Sequence, residues 1–135
     1  MPQITLTGAP AERRRVVDAL QEFCREHAIS PQVEFAADLA LEEHITNILT
    51  HGGATKVVIG YEVEADFFVI SVEDNGKAFD PLTAPRPNID ISLKEKPVGG
   101  LGIHLMREFM NELSYFPNAP TNVLTMKKRL SAEPL

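Results

Sequence analysis

A chain of 135 residues, 44% of them hydrophobic, carries enough apolar side chains for one core, and a domain of this size buries roughly two-thirds of its unfolded surface. Its 13 lysines and arginines against 19 aspartates and glutamates leave a formal charge of −6, which opposes docking on a nucleic-acid backbone or an anionic lipid surface, so neither is expected as a partner. No run approaches the roughly 18 apolar residues of a membrane helix, the opening residues lack a leader pattern, and a single cysteine excludes a disulfide framework; a reduced, cytoplasmic protein is expected.

Ile4-Thr5-Leu6 alternates apolar and polar residues before Gly8 and Pro10, which predicts a short strand closed by a turn. From Ala11 to about His27, the residues Val16, Val17, Leu20, Phe23 and Cys24 recur at three- to four-residue spacing among charges, predicting an amphipathic helix with Cys24 as a buried core thiol. Ser30-Pro31 offers an N-cap with proline at the first helical position, and Gly52-Gly53 stops the second helix. Two β-branched and aromatic runs, Lys56 to Glu64 and Phe67 to Asp74, are joined by Ala65-Asp66 and read as an antiparallel hairpin. Residues from Pro81 to about Val98 are proline-rich and aperiodic, the character of a lid over a site. Leu101, Leu105, Phe109 and Leu113 then predict a third helix, followed by strands at Leu113 to Phe116 and Val123 to Met126. This order implies an α+β fold, a two-layer α/β sandwich with a mostly antiparallel sheet and its helices on one face, forming a single domain over residues 1–135.

Three motifs carry chemistry. Glu43, Asn47 and His51 recur every fourth residue, so each step rotates roughly 40° and the three line one face of the second helix. Ala36 and Ala40 share that arc, leaving room for a ligand, while Leu41, Ile45, Ile48 and Leu49 form a separate apolar stripe. A carboxylate one turn from a carboxamide suits hydroxyl activation beside a magnesium ion, although the same spacing suits a solvated polar face. In Val72-Glu73-Asp74-Asn75-Gly76-Lys77-Ala78-Phe79-Asp80, the residue Asp74 shares the parity of Phe68, Ile70 and Val72 and so points to the apolar face. A carboxylate at the mouth of an apolar slot accepts a hydrogen bond from the exocyclic amine of adenine, and Gly76 permits close backbone approach; Asn-Gly is equally a common turn pair. Lastly, Pro97-Val98-Gly99-Gly100-Leu101-Gly102-Ile103-His104 runs glycines into a helix, where free amides and the dipole favour phosphate, or where a connector simply bends.

In this order and on these elements the three motifs resemble the N box and two glycine boxes of GHKL (Bergerat-fold) ATPases. The strings E-x-x-x-N-x-x-x-H, E-D-N-G-K-A-F-D-P and G-G-L-G-I-H-L are similar to those of bacterial anti-sigma-factor serine kinases, and the resemblance covers about Ile4 to Leu130. It implies ATP and Mg2+ as cofactors. It implies Glu43 as catalytic base, Asn47 as magnesium ligand, Asp74 as adenine reader, Gly76 in the first glycine box, and Gly99, Gly100, Leu101 and Gly102 over the phosphates. It further implies a lid at about 81–98, a STAS-domain anti-anti-sigma protein as the phosphorylated partner, a sigma factor as a second partner, and often a homodimer. Two positions depart from the family pattern: Ala78 stands at a usual glycine, and the late Gly-Thr pair that helps hold adenine is here Thr121-Asn122.

An alternative from another class is a catalytically silent, nucleotide-gated binding regulator, which retention of Glu43 and Asn47 disfavours. A histidine-kinase catalytic domain cut from its chain is disfavoured by the opening strand and amphipathic helix. Of the histidines, His51 is read first as a structural or polar residue and second as a phosphate neighbour, His104 as either a phosphate neighbour or a helix-surface residue, His27 and His44 are expected at the surface, and no spacing suggests zinc.

Overall fold

The computed structural model of the chain describes residues 3–7, 12–78 and 107–131. Their elements are β1 (Gln3–Leu6), α1 (Arg13–Glu26), α2 (Pro31–Thr50), β2 (Val57–Glu64), β3 (Phe67–Asp74), β4 (Glu112–Asn118) and β5 (Thr121–Arg129).

Helix boundaries follow local chemistry. Ser30 accepts a hydrogen bond on its side chain from the Val33 amide at 3.3 Å and Pro31 opens α2 with its fixed φ, so the helix starts where an N-cap and proline coincide. At the other end Gly52 is obligatory, because a Cβ there would sit 2.8 Å from the Ile48 carbonyl oxygen, and Gly53 takes the left-handed φ of 66°.

The strands form one sheet in the order β1-β2-β3-β5-β4, every neighbouring pair antiparallel. Its register stacks apolar residues in rungs: Ile4, Ile59, Val72, Leu124 and Tyr115 lie side by side, and next to them Tyr61, Ile70, Met126 and Leu113. These rungs form one core with Val16, Leu20, Phe23 and Cys24 of α1 and with Val33, Ala37, Ala40, Leu41, Ile45 and Ile48 of α2. Both helices therefore lie on one face of the sheet, as a two-layer α+β sandwich requires. Phe23 anchors the layers, its ring 5.4 Å from that of Phe68 and 5.7 Å from that of Tyr61. Cys24 is buried in this core, and burial pushes its thiol up to about 12, so it packs as a small apolar residue.

The third helix differs from expectation. Residues 101–106 lie outside the described residues; Arg107 to Phe109 are helical, but the chain leaves the helix at Met110 and enters β4 at Glu112. Leu113 satisfies a four-residue spacing from Phe109 and also a two-residue spacing with Tyr115. The second wins because pairing with Met126 and Leu124 of β5 satisfies the backbone and half-buries both side chains.

The two-residue turn between β2 and β3 carries a local penalty. Ala65 sits at φ 54°, in the left-handed region that a Cβ disfavours by roughly 1–2 kcal/mol. Ala65→Gly is expected to raise the unfolding free energy by about 0.5–1 kcal/mol, the relief being partly offset by the greater unfolded-state entropy of glycine. Urea unfolding followed by circular dichroism checks this, with the midpoint moving up and the slope unchanged.

Candidate functional site

Two loops meet at one end of the sheet. One leaves α2 through Gly52, Gly53 and Ala54; the other leaves β3 through Asn75, Gly76 and Lys77. The Asn75 side-chain oxygen accepts hydrogen bonds from the amides of Thr55 and Lys56 at 2.9 and 3.0 Å, and its side-chain nitrogen donates to the Thr55 hydroxyl at 2.9 Å. Lys77 donates its amide to the Gly52 carbonyl at 2.8 Å. Gly76 lies so close to the other loop that a Cβ would stand 2.7 Å from the Gly52 oxygen and 3.0 Å from the Ala54 nitrogen, both backbone atoms that cannot swing aside. This seam fixes the C-terminal half of α2 relative to the end of β3.

On the α2 side, the small residues Ala36 and Ala40 are buried on the arc that also carries Glu43 and Asn47. Asn47 is buried, and its side-chain nitrogen has no hydrogen-bond partner, an orphaned donor next to the small residues. Glu43 is half-buried. Burial raises its carboxyl above the ordinary range, and the neighbouring Glu42 adds a smaller push in the same direction. His51, on the same face by spacing, is exposed.

On the β3 side, Asp74 is only 3% exposed, as its parity with the core residues of the strand predicted. Its Oδ1 accepts the Gly76 amide at 2.8 Å and the Asn122 side-chain nitrogen at 3.3 Å. Burial raises the Asp74 carboxyl, and these two hydrogen bonds, which favour the charged form, pull against the rise. Asn122 faces Asp74 across the β3–β5 ladder and also donates to the Gly76 carbonyl at 2.9 Å. The sequence named Asn122 only as part of the Thr121-Asn122 pair that replaces the family's late glycine and threonine, and gave Asn75 no role beyond a turn pair. Asn75 was hidden in an Asn-Gly pair that reads as a turn; Asn122 shares the parity of the core residues Leu124 and Met126, a signal that was present.

Gly99, Gly100, Leu101 and Gly102, the lid at about 81–98 and His104 lie outside the described residues, and Ala78 is exposed at the end of the first glycine loop. A groove of about 880 Å³ lies elsewhere, at the N-terminal end of α2 between Pro31, Phe35, Phe109 and Arg129. It lacks the convergent buried polar groups that mark the α2–β3 junction, so volume is the poorer guide here.

His44 departs from the expected surface position. It is fully buried, both ring nitrogens lack partners, and burial alone pushes its pKa down to about 4, so it is neutral at pH 7. The reason is angular: on α2 it lies roughly 60° from Asn47 and 40° from Ile48, inside a buried arc wider than the apolar stripe.

With this geometry in place, comparison with known proteins is informative. Residues 6–128 match the histidine kinase-like ATPase domain, and the chain belongs to that family, a class that uses ATP. Within it, the chain is 31% identical over 108 residues to the serine/threonine-protein kinase BtrW of Bordetella bronchiseptica, covering 77% of this chain and 76% of that one. It is 30% identical over 108 residues to an anti-sigma F factor of Clostridium perfringens, covering 74% and 77% respectively. The fold is similar to that in a crystal structure of the RsbU and RsbW domains of Rv1364c from Mycobacterium tuberculosis, with a TM-score of 0.68 at 19% identity; 98% of this chain spans 34% of that one.

Because the folded pKa of His44 lies below its unfolded value near 6.5, the unfolded chain takes up the proton first. The contribution of the neutral ring is therefore complete above about pH 6.5 and is lost as pH falls towards 4. His44→Leu removes that dependence. Between pH 7 and pH 5 the stability of the wild-type protein relative to this variant is expected to fall by about 2 kcal/mol, measured by denaturant unfolding at both pH values.

Proposed function

We propose that the chain works as one ATP-binding domain over residues 1–135, a cytoplasmic protein-serine/threonine kinase and anti-sigma factor that phosphorylates a STAS-domain anti-anti-sigma protein in a bacterial partner-switching system. The observation that carries the reading is the buried Asp74 carboxylate, held by Gly76 and Asn122 on one oxygen and tied by the Asn75–Gly76 seam to the helix bearing Glu43 and Asn47.

Each residue then has a task. The Asp74 oxygen not engaged by Gly76 and Asn122 accepts the exocyclic amine of adenine. Asn47 offers the one oxygen ligand that magnesium asks of the protein when phosphates and water supply the rest, and the orphaned amide on the same side chain fits a group built to meet something beyond the chain. Among the described residues no cluster of three acidic, histidine or cysteine side chains competes as a metal site. Magnesium, when bound, neutralises phosphate charge. Gly99, Gly100, Leu101 and Gly102 cover the phosphates, with residues at about 81–98 as the lid.

Glu43, one helical turn from Asn47, takes the proton of the acceptor serine or threonine hydroxyl as its oxygen attacks the γ-phosphorus, and the bond to the ADP oxygen breaks. A carboxyl raised by partial burial is a better base than an exposed one, since it holds the transferred proton more firmly. The names of the similar proteins, a serine/threonine-protein kinase and an anti-sigma F factor, support this substrate class.

Two experiments separate binding from chemistry. Asp74→Asn presents an amide donor where adenine also presents one, and titration calorimetry is expected to show ATP and ADP affinity reduced at least tenfold, about 1.4 kcal/mol. Glu43→Ala is expected to bind ATP about as well as wild type but to transfer phosphate to a cognate STAS protein about 10²- to 10⁴-fold more slowly in single turnover. Glu42→Ala is the control: Glu42 is exposed and about 100° around the helix, and its transfer rate should survive. Wild-type rates in Glu43→Ala would remove it as the base.

A further inference from the structure

We propose that His44 is a positioning residue: through one ordered water its ring holds the amide nitrogen of Asn47, and so keeps the Asn47 oxygen turned to magnesium. The inference rests on the reading of Asn47 as the magnesium ligand, and goes beyond it by naming what fixes that side chain.

Three buried side-chain atoms among the described residues have no hydrogen-bond partner, and they belong to two residues on one helix: both ring nitrogens of His44, and Nδ2 of Asn47. His44 is fully buried and Asn47 is 1% exposed. Three positions apart on α2, they differ by roughly 60° around the helix and about 4.5 Å along it. Helical side chains lean towards the N-terminus of their helix, which lays the Asn47 amide over the turn that carries His44. Other partners for the ring are wanting. The core residues that β3 and β5 contribute are Phe68, Ile70, Val72, Leu124 and Met126, all apolar. Tyr61 on β2 gives its hydroxyl to the Val16 carbonyl at 3.5 Å, and Asn122 gives its nitrogen to Asp74 and Gly76.

One water serves both residues. It accepts an N–H of Asn47 and donates to the ring nitrogen of His44 that carries no proton, and the neutral ring has one such nitrogen in either tautomer. Buried waters characteristically bridge polar groups that the chain itself leaves unsatisfied. The effect is on orientation. A side-chain amide can turn over about its last torsion, and only its oxygen binds magnesium. With the nitrogen tied towards His44, the oxygen is left to the metal.

The test is the gain in ADP affinity that magnesium confers, measured by calorimetry on the full chain with and without the metal. His44→Leu is expected to lose about tenfold in affinity for ADP with magnesium while the metal-free affinity changes by less than about threefold, since partners that orient a ligating side chain typically govern metal affinity by about 10- to 100-fold. His44→Gln restores an acceptor and is expected to recover most of the gain. A second readout needs no nucleotide: the Asn47 side-chain amide protons of wild type show cross-relaxation with a long-lived water, and those of His44→Leu do not. An unchanged magnesium gain in His44→Leu overturns the proposal. So does an equal loss with and without the metal, which makes His44 a packing residue only, and so does a loss in His44→Gln as large as in His44→Leu. Should His44→Leu fail to fold, His44→Met, whose flexible side chain adapts to the space, carries the same expectation. Failure of the underlying reading looks different: ADP binding by wild type is then indifferent to magnesium, or Asn47→Ala keeps the full gain.

Discussion

Asn75 and Gly76 bind the end of one strand to the end of one helix, and the rest of the site depends on that seam. Helix α2 rests on the sheet through apolar side chains, which are non-directional and would tolerate small slides along the strand axes. Hydrogen bonds from the Thr55 and Lys56 amides to the Asn75 side-chain oxygen, and from the Lys77 amide to the Gly52 carbonyl, remove that freedom at the end where Asn47 and Asp74 lie. Gly76 makes the approach possible at all, because a Cβ would strike the backbone of the opposing loop. The Asn-Gly pair thus sets spacing between two elements as much as it reverses the chain.

Polar burial is concentrated at the same place. The buried polar side chains among the described residues are His44, Asn47, Asp74 and Asn122. Asp74 and Asn122 satisfy one another; His44 and Asn47 retain atoms with no partner. Burying such groups costs free energy that a hydrophobic replacement would recover, so their persistence beside one seam is what a ligand site requires and a purely structural core avoids. At the opposite end of α2 the groove around Phe35 and Phe109 is lined by none of these four buried polar side chains.

Much of this was legible in the sequence, for reasons that differ by residue. Strand parity placed Asp74 inward because it shares the face of Phe68, Ile70 and Val72, all of them buried. Helical spacing put Glu43 and Asn47 on one face for the same kind of reason. Local periodicity failed where long-range pairing decides: Leu113 fits both a helix and a strand, and its pairing with Met126 chose the strand. That Asn122 faces Asp74 is seen only once β5 is known to lie beside β3, a neighbour separated from it by more than forty residues of sequence. His44 was misplaced because a polar residue beside an apolar stripe defaults to solvent, whereas α2 is covered over a wider arc than its apolar residues mark.

The central claim is that nucleotide binds at the junction of α2 and β3. It is tested most directly by titrating the isotopically labelled chain with ADP and magnesium and following its amide resonances. The account predicts saturable shifts, one ADP per chain, concentrated at Asn47, Gly52, Asp74 and Gly76 and at the side-chain amide of Asn122. Shifts centred instead on the groove at Phe35 and Arg129, or no saturation at millimolar ADP, would contradict it.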